Sequence, residues 1–199
     1  MANRQQVNTL PLRTISDFKS KLKGGGARPN LFEVELTFPN GVGVQDVNEV
    51  VENARFLVKA AALPSSVLGP IEIPFRGRKL KIAGDRTFES WTITVINDTS
   101  FNIRSAFEKW MNYINKLDNA TGETDPALYQ VDAKVHQLDR EGGTLRKYVF
   151  KDVFPTNMSA ITLNYDTTDT LEDFTVEMQV HYWEAYKGNT SRSGGEDIS

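Results

Sequence analysis

The 199-residue sequence predicts a mainly β protein, an antiparallel β-sandwich or partly open barrel with one flanking α-helix at about residues 100–118. Three observations carry that prediction. Most of the chain between residues 28 and 186 alternates apolar with polar residues, the period of a strand with one wet face. Only Phe101–Leu117 carries a full helical stripe, formed by Ile103, Phe107, Trp110, Met111, Ile114 and Leu117. Arg140-Glu-Gly-Gly143 lies between two alternating runs, which is a hairpin signal.

The elements follow in chain order. Residues 1–27 form a basic N-terminal arm, in which Thr14-Ile-Ser-Asp17 can cap a short helix with Ile15, Phe18 and Leu22 on one side. Lys23-Gly-Gly-Gly26 ends it, because consecutive glycines lose the most entropy on ordering. The β domain spans 28–186. Phe32, Val34, Leu36 and Phe38 alternate with Glu33, Glu35 and Thr37 as its first strand. An extended loop at 39–54 follows, then a strand at Arg55–Leu63 stopped by Pro64. Ile71–Ile82 reads as extended but interrupted by Pro74 and Gly77, and Trp91, Ile93 and Val95 mark the strand before the helix. Asp98, Thr99 or Ser100 can cap that helix, and Asp118–Gly122 stops it. Tyr129–Val135 and Leu145–Phe154 flank the Gly-Gly turn. Ile161, Leu163 and Tyr165 then pair with Phe174–Tyr182 as a last hairpin. Residues 187–199, rich in Gly, Ser and Asp, read as a flexible tail.

Charge is uneven along this plan. The net charge is −3, yet residues 1–28 hold six basic residues against Asp17, so the arm is +5 and the remainder −8. With a pI near 5.5, broad binding to nucleic-acid backbone is disfavoured. The absence of cysteine excludes a disulfide framework, a thiol nucleophile and a cysteine zinc site. No apolar run reaches the roughly 18–20 residues of a membrane span, and Met1–Lys23 lacks the apolar core of a signal peptide, so no membrane insertion is expected.

Catalytic signals are poor. His136 and His181 both sit in strand-like runs on polar faces, and no Gly-x-Ser-x-Gly elbow accompanies them. Gly24–Gly26 and Gly41-Val-Gly43 lack the strand-to-helix setting of a phosphate loop. Asp166, Asp169, Glu172 and Asp173 cluster in a turn without the spacing or central glycine of a calcium loop. Arg76, Arg78, Lys79 and Lys81 would divide between two faces of an extended chain, with no aromatic platform between them. No catalytic residue, metal site or cofactor is therefore expected. A structural protein is the first reading and a β-barrel carrier of a small ligand the alternative from another class.

Several stretches together point further. Ala27-Arg-Pro-Asn-Leu-Phe32 opens the first strand, and Ala62-Leu-Pro64 closes the second. Gly77-Arg-Lys-Leu-Lys-Ile-Ala-Gly-Asp-Arg-Thr-Phe88 leads into Trp91-Thr-Ile-Thr-Val-Ile-Asn-Asp98. Phe154-Pro-Thr-Asn157 precedes the final hairpin, and Tyr182-Trp-Glu184 ends it. Their order and wording resemble the tail tube proteins of contractile-tailed, T-even-like bacteriophages over Ala27–Glu184. Ala83-Gly-Asp-Arg-Thr-Phe88 is the most specific block.

The resemblance implies a virion protein, assembled in the host cytoplasm, whose hexameric rings stack into a tube inside a contractile sheath. It implies as partners further copies of the chain, the sheath protein, the baseplate tube initiator, the tape-measure protein and the tail terminator. A baseplate initiator, or a secretion-system or tailocin tube, is the neighbouring alternative. DNA would pass through the lumen without specific binding. On that view Glu33, Glu35, Thr92, Thr94, Thr175, Glu177 and Gln179, all on polar faces, are candidates for the channel wall; otherwise they are ordinary solvated sheet. Val42, Val44, Val47, Val50 and Val51 are unusually apolar for a loop, and are expected either to contact the next ring or to form a short hairpin or helical turn folded on their own subunit. Asp85 and Arg86 are expected to pair across subunits or within one turn.

Overall fold

The computed structural model describes residues 13–198; residues 1–12 of the basic arm lie outside the described residues. The elements are α1 (Ile15–Lys21), β1 (Phe32–Glu35), α2 (Val47–Leu57), β2 (Val58–Ala61), β3 (Ser66–Phe75) and β4 (Arg78–Phe88). They continue with β5 (Trp91–Ile96), α3 (Asn102–Ile114), α4 (Pro126–Tyr129), β6 (Val131–Leu138), β7 (Thr144–Met158), β8 (Asp173–Gln179) and β9 (Tyr182–Lys187). Every strand pair is antiparallel.

The long strand β7 belongs to both layers of a sandwich. Its first part pairs with β6 on one side and β9 on the other, and β6 pairs with β1, giving sheet 1. Its end, Phe154–Met158, pairs with β8, which continues to β5 and β2 as sheet 2. Asp152, at a φ of 54°, marks where β7 passes from one layer to the other.

The core lies where alternation predicts it. Val34, Val135 and Phe150 from sheet 1 are fully buried in one cluster with Ile93, Val176 and Met178 from sheet 2. Trp91 stacks on Phe150 with ring centroids 4.2 Å apart, which ties the two layers together. The predicted helix is α3, and its stripe buries Ile103, Phe107 and Trp110. Phe38 meets Phe107 and Trp110 edge-on at 5.4 and 5.7 Å. The Trp110 indole N–H donates to the Tyr129 carbonyl at 2.8 Å, so its one polar atom is satisfied inside the core. With these side chains filling the space between the layers, the interior is a packed core rather than a ligand pocket of the kind a carrier needs.

Other expectations change. The extended loop at 39–54 contains a 3₁₀ turn, Asn40–Val42, and the helix α2. Arg55–Leu57, expected as strand, is the last turn of α2, and the strand itself is only Val58–Ala61. Val50, Ala54 and Val58 are all buried, so a four-residue spacing won over the alternation read there. Ile161, Leu163 and Tyr165 alternate but form no strand; Leu163 and Tyr165 are exposed in the β7–β8 loop. The short arm helix is present, with a capping box in which Thr14 and Asp17 satisfy each other's backbone N–H.

Candidate assembly interface

One element stands apart from the sandwich. β3 and β4 pair only with each other, as a two-stranded ribbon whose turn is Arg76-Gly77. Both turn residues have positive φ, 46° and 81°, the geometry of the tight turns that match strand twist. The register sets Ile71 opposite Ile82, Ile73 opposite Leu80 and Phe75 opposite Arg78. Residues directly opposite share a face, so Ile71, Ile73, Phe75, Leu80 and Ile82 form one apolar strip. All five are 43–66 % exposed. The other face is polar: Glu72 accepts from Lys79 at 2.5 Å and lies 3.6 Å from Lys81. An isolated hairpin is marginal in water, and the described residues leave the apolar side of this one largely uncovered. Each such side chain gains about 1.5–3 kcal/mol on full burial, so the strip is a strong driving force for association.

The sequence carried this signal, since apolar residues alternate symmetrically about Arg76-Gly77. Pro74 and Gly77 obscured it by suggesting an interruption. Pro70 and Pro74 instead remove two backbone donors from β3, which makes that strand a poor template for edge pairing. Asp85 and Arg86 are neighbours on β4, where successive side chains point to opposite faces. Among the described residues neither takes part in an ion pair.

Sheet 2 is open at both sides. Among the described residues β2 has β5 on one side and no strand on the other, and the Phe154–Met158 end of β7 has only β8. On its outer face Thr92 lies opposite Glu177 and Thr94 opposite Thr175, with Asn157 next in line beside Glu177. Ser90 Oγ donates to Glu177 at 2.6 Å. Gln179 lies two residues further along the same face. Five of the seven predicted wall residues therefore share one surface.

Glu33 and Glu35 do not. They stand on the outer face of sheet 1, opposite His136 and Lys134. There α2 brings Arg55 to 3.5 Å from Glu33 and 3.9 Å from Glu35, while Lys134 meets Glu35 at 2.6 Å. This is a charged seam between a helix and a strand. Burial pushes the Glu35 carboxyl up, but Lys134, Arg55 and His136 outweigh it and hold the group below its usual range.

The valines of 42–51 turn mostly inward. Val42 and Val50 are buried in the subunit's own core, and Val44 and Val51 pack against it. Val42 and Val50, 9 % and 2 % exposed, are thus engaged within their own subunit and leave little surface for a contact with the next ring. Only Val47, 36 % exposed at the start of α2, presents itself outward. The acidic turn is also engaged: Lys59 pairs with Asp173, and Asn97 donates to Glu172 at 2.8 Å.

A ribbon with one exposed apolar face and a sheet with two open edges are surfaces of a protein built to associate with other chains. The chain belongs to the phage tail tube protein family, whose profile matches residues 27–186. It is 35 % identical over 162 residues to the tail tube protein gp19 of Enterobacteria phage T4, covering 81 % of this chain and 93 % of that one. Two solved structures share the fold. One is from the six-fold symmetrised baseplate of the anti-feeding prophage, with a TM-score of 0.57, 11 % identity, and 80 % and 94 % of the two chains covered. The other is from the PVC sheath–tube complex of an extracellular contractile injection system, with a TM-score of 0.53, 12 % identity, and 87 % and 98 % covered. The chain is thus a structural component of the virion tail rather than an enzyme. No helix among the described residues is long and apolar enough to cross a membrane.

Proposed function

We propose that six copies of this chain close into a ring, that rings stack into a hollow tube, and that sheet 2 is each copy's share of the channel wall. The observation that carries this reading is the apolar strip of the β3–β4 ribbon, which the described residues leave exposed and which a second copy would cover. The open edges of sheet 2 supply the lateral contact: β2 of one copy continues onto the Phe154–Met158 end of the next. A closed circle of this kind leaves no free edge in the wall. Six-fold closure accords with the symmetrised baseplate structure of the same fold.

Thr92, Thr94, Thr175, Glu177 and Gln179 then face the lumen. Neutral and acidic groups suit a conduit through which DNA leaves without specific binding, since a basic lining would hold phosphates. The ribbon, with Val47, makes the contact between copies along the tube, and Asp85 and Arg86 pair across copies. Sheath, baseplate initiator, tape-measure protein and tail terminator are the further partners. The sheath–tube complex of the same fold supports the first of these.

The test is assembly of purified protein, read by mass photometry and negative-stain imaging. The natural chain gives six-membered rings or tubes on concentration, and the double variant Ile73→Asp, Leu80→Asp stays monomeric with an unchanged thermal midpoint. A double variant that still forms tubes contradicts the reading.

A further inference from the structure

The segment after β9 lies beyond the family match at residue 186 and folds back on its own sheet. Gly188 N–H donates to the Leu145 carbonyl at 3.1 Å and Asn189 N–H to the Thr144 carbonyl at 3.0 Å, which carries the β7–β9 ladder two residues further. A turn at Thr190–Ser193 follows, in which Ser193 Oγ donates to the Thr190 carbonyl at 2.6 Å. The chain then returns along the free side of β9. Ala185 and Ile198 exchange both backbone hydrogen bonds, at 2.8 and 2.7 Å, and Lys187 N–H donates to the Asp197 carboxylate at 2.7 Å. Arg146 donates to the Gly194 and Glu196 carbonyls at 3.4 and 3.2 Å, and Arg192 pairs with Glu141 at 2.8 Å.

The sequence is shaped for this path. A Cβ on Gly188 would lie 1.8 Å from the Thr144 carbonyl oxygen. A Cβ on Gly195, where φ is +83°, would lie 2.3 Å from the Arg146 guanidinium. A larger residue at Gly188 meets backbone, and one at Gly195 is strained by the positive φ even where Arg146 swings aside, so both work against this path.

We infer that residues 188–198 are a strap that closes the β9 edge of sheet 1 against strand addition by a second copy of the chain. Without the strap, the N–H and carbonyl of Ala185 and the N–H of Lys187 point outward unpaired, a template for an extended strand from another molecule. The opposite edge of sheet 1, β1, is flanked by α2, whose Arg55 meets Glu33 and Glu35. The β9 side of sheet 1 is thus closed from within the chain, and the proposed wall contact is left to the open edges of sheet 2. This inference rests on the ring reading only for the use of sheet 2; the guarded edge is a property of the single subunit.

The experiment compares the full chain with one ending at Asn189, which keeps the extended ladder and loses the returning strand. Amide exchange of the monomer reads the edge; sedimentation with negative-stain imaging reads material that is neither ring nor tube. The shortened chain exchanges the Ala185 amide about tenfold faster or more, and forms several-fold more irregular aggregate at equal concentration. Adding Lys187→Pro to it, which deletes one outward donor at an exposed position, reduces that aggregate. Should the shortened chain lose its near-ultraviolet dichroism, Gly195→Val in the full chain takes its place with the same readouts. Unchanged Ala185 protection, or faster exchange with no added aggregate, overturns the inference. Rings are scored separately: their absence in the full chain contradicts the ring reading and leaves the edge comparison standing.

Discussion

His136 sits on the outer face of sheet 1 with its Nε2 3.7 Å from Glu35. Burial lowers its pKa below the ordinary value of 6.5, against the pull of Glu35 and Glu33. The unfolded chain therefore takes up this proton first, and stability is lost as pH falls below about 6.5. Glu35, also held low, contributes stability above its ordinary value of 4.5, and that contribution disappears as pH falls through its folded value. The thermal midpoint of the monomer should thus fall in two stages between pH 7 and 3. His136→Gln should remove the upper stage and Glu35→Gln the lower one; an unaltered profile in either variant contradicts the assignment. In the core, Trp110→Phe keeps most of the apolar volume but orphans the Tyr129 carbonyl. Urea unfolding should show a loss of about 1–3 kcal/mol. Both sites were half legible in the sequence. Alternation put His136 on the polar face and Trp110 on the apolar stripe, but no local pattern announces that residues a hundred positions apart, Glu35 and Lys134, meet across a ladder.

At the level of elements, the sequence named those whose partners lie inside the subunit. α3, β1, β5 and β8 were readable because each buries one face against the core, and burial is what imposes a period; the Arg140–Gly143 turn was readable from its glycines. Within the extended loop the helical turn, one of the two internal folds expected for the valines, is the one formed, and α2 runs on through Arg55–Leu57, where the sequence pointed to strand. The strand expected at Ile161–Tyr165 failed for want of a partner beside it. The β3–β4 ribbon is the instructive case. Its alternation is as clear as that of β1, yet its apolar side faces solvent in the single subunit. Two substitutions separate folding from assembly here. Ile73→Asp with Leu80→Asp should abolish tubes and spare the monomer. Gly77→Val, which forces a β-branched residue to a φ of 81°, should weaken the ribbon itself. It should raise the concentration needed for assembly about tenfold or more, as read by light scattering.

For the whole molecule, the two outer faces of the sandwich have different chemistry, and the tube account assigns them different places. On the proposed reading sheet 2 would present threonines, Glu177 and Gln179 to the lumen, while the outer face of sheet 1 carries Glu33 and Glu35 paired with Arg55 and Lys134. Reversing charge on the first should slow DNA exit and on the second should not. Particles carrying Glu177→Lys should eject DNA more slowly, with the delay reduced by salt, whereas Glu33→Lys particles should eject at the natural rate. The sequence alone could not make this distinction. Alternation reveals that a residue is on a wet face, but which of two wet faces it occupies depends on the path of β7 between the layers.

The most direct measurement is a cryo-EM reconstruction of the assembled tube at side-chain resolution. The account predicts six subunits per ring, Thr92, Thr94, Thr175 and Glu177 on the lumen, β2 hydrogen-bonded to the Phe154–Met158 end of the adjacent copy, and the Ile71–Ile82 strip buried against another subunit. A lumen lined by Glu33 and Glu35, or a ribbon whose apolar strip stays bare in the tube, would contradict it.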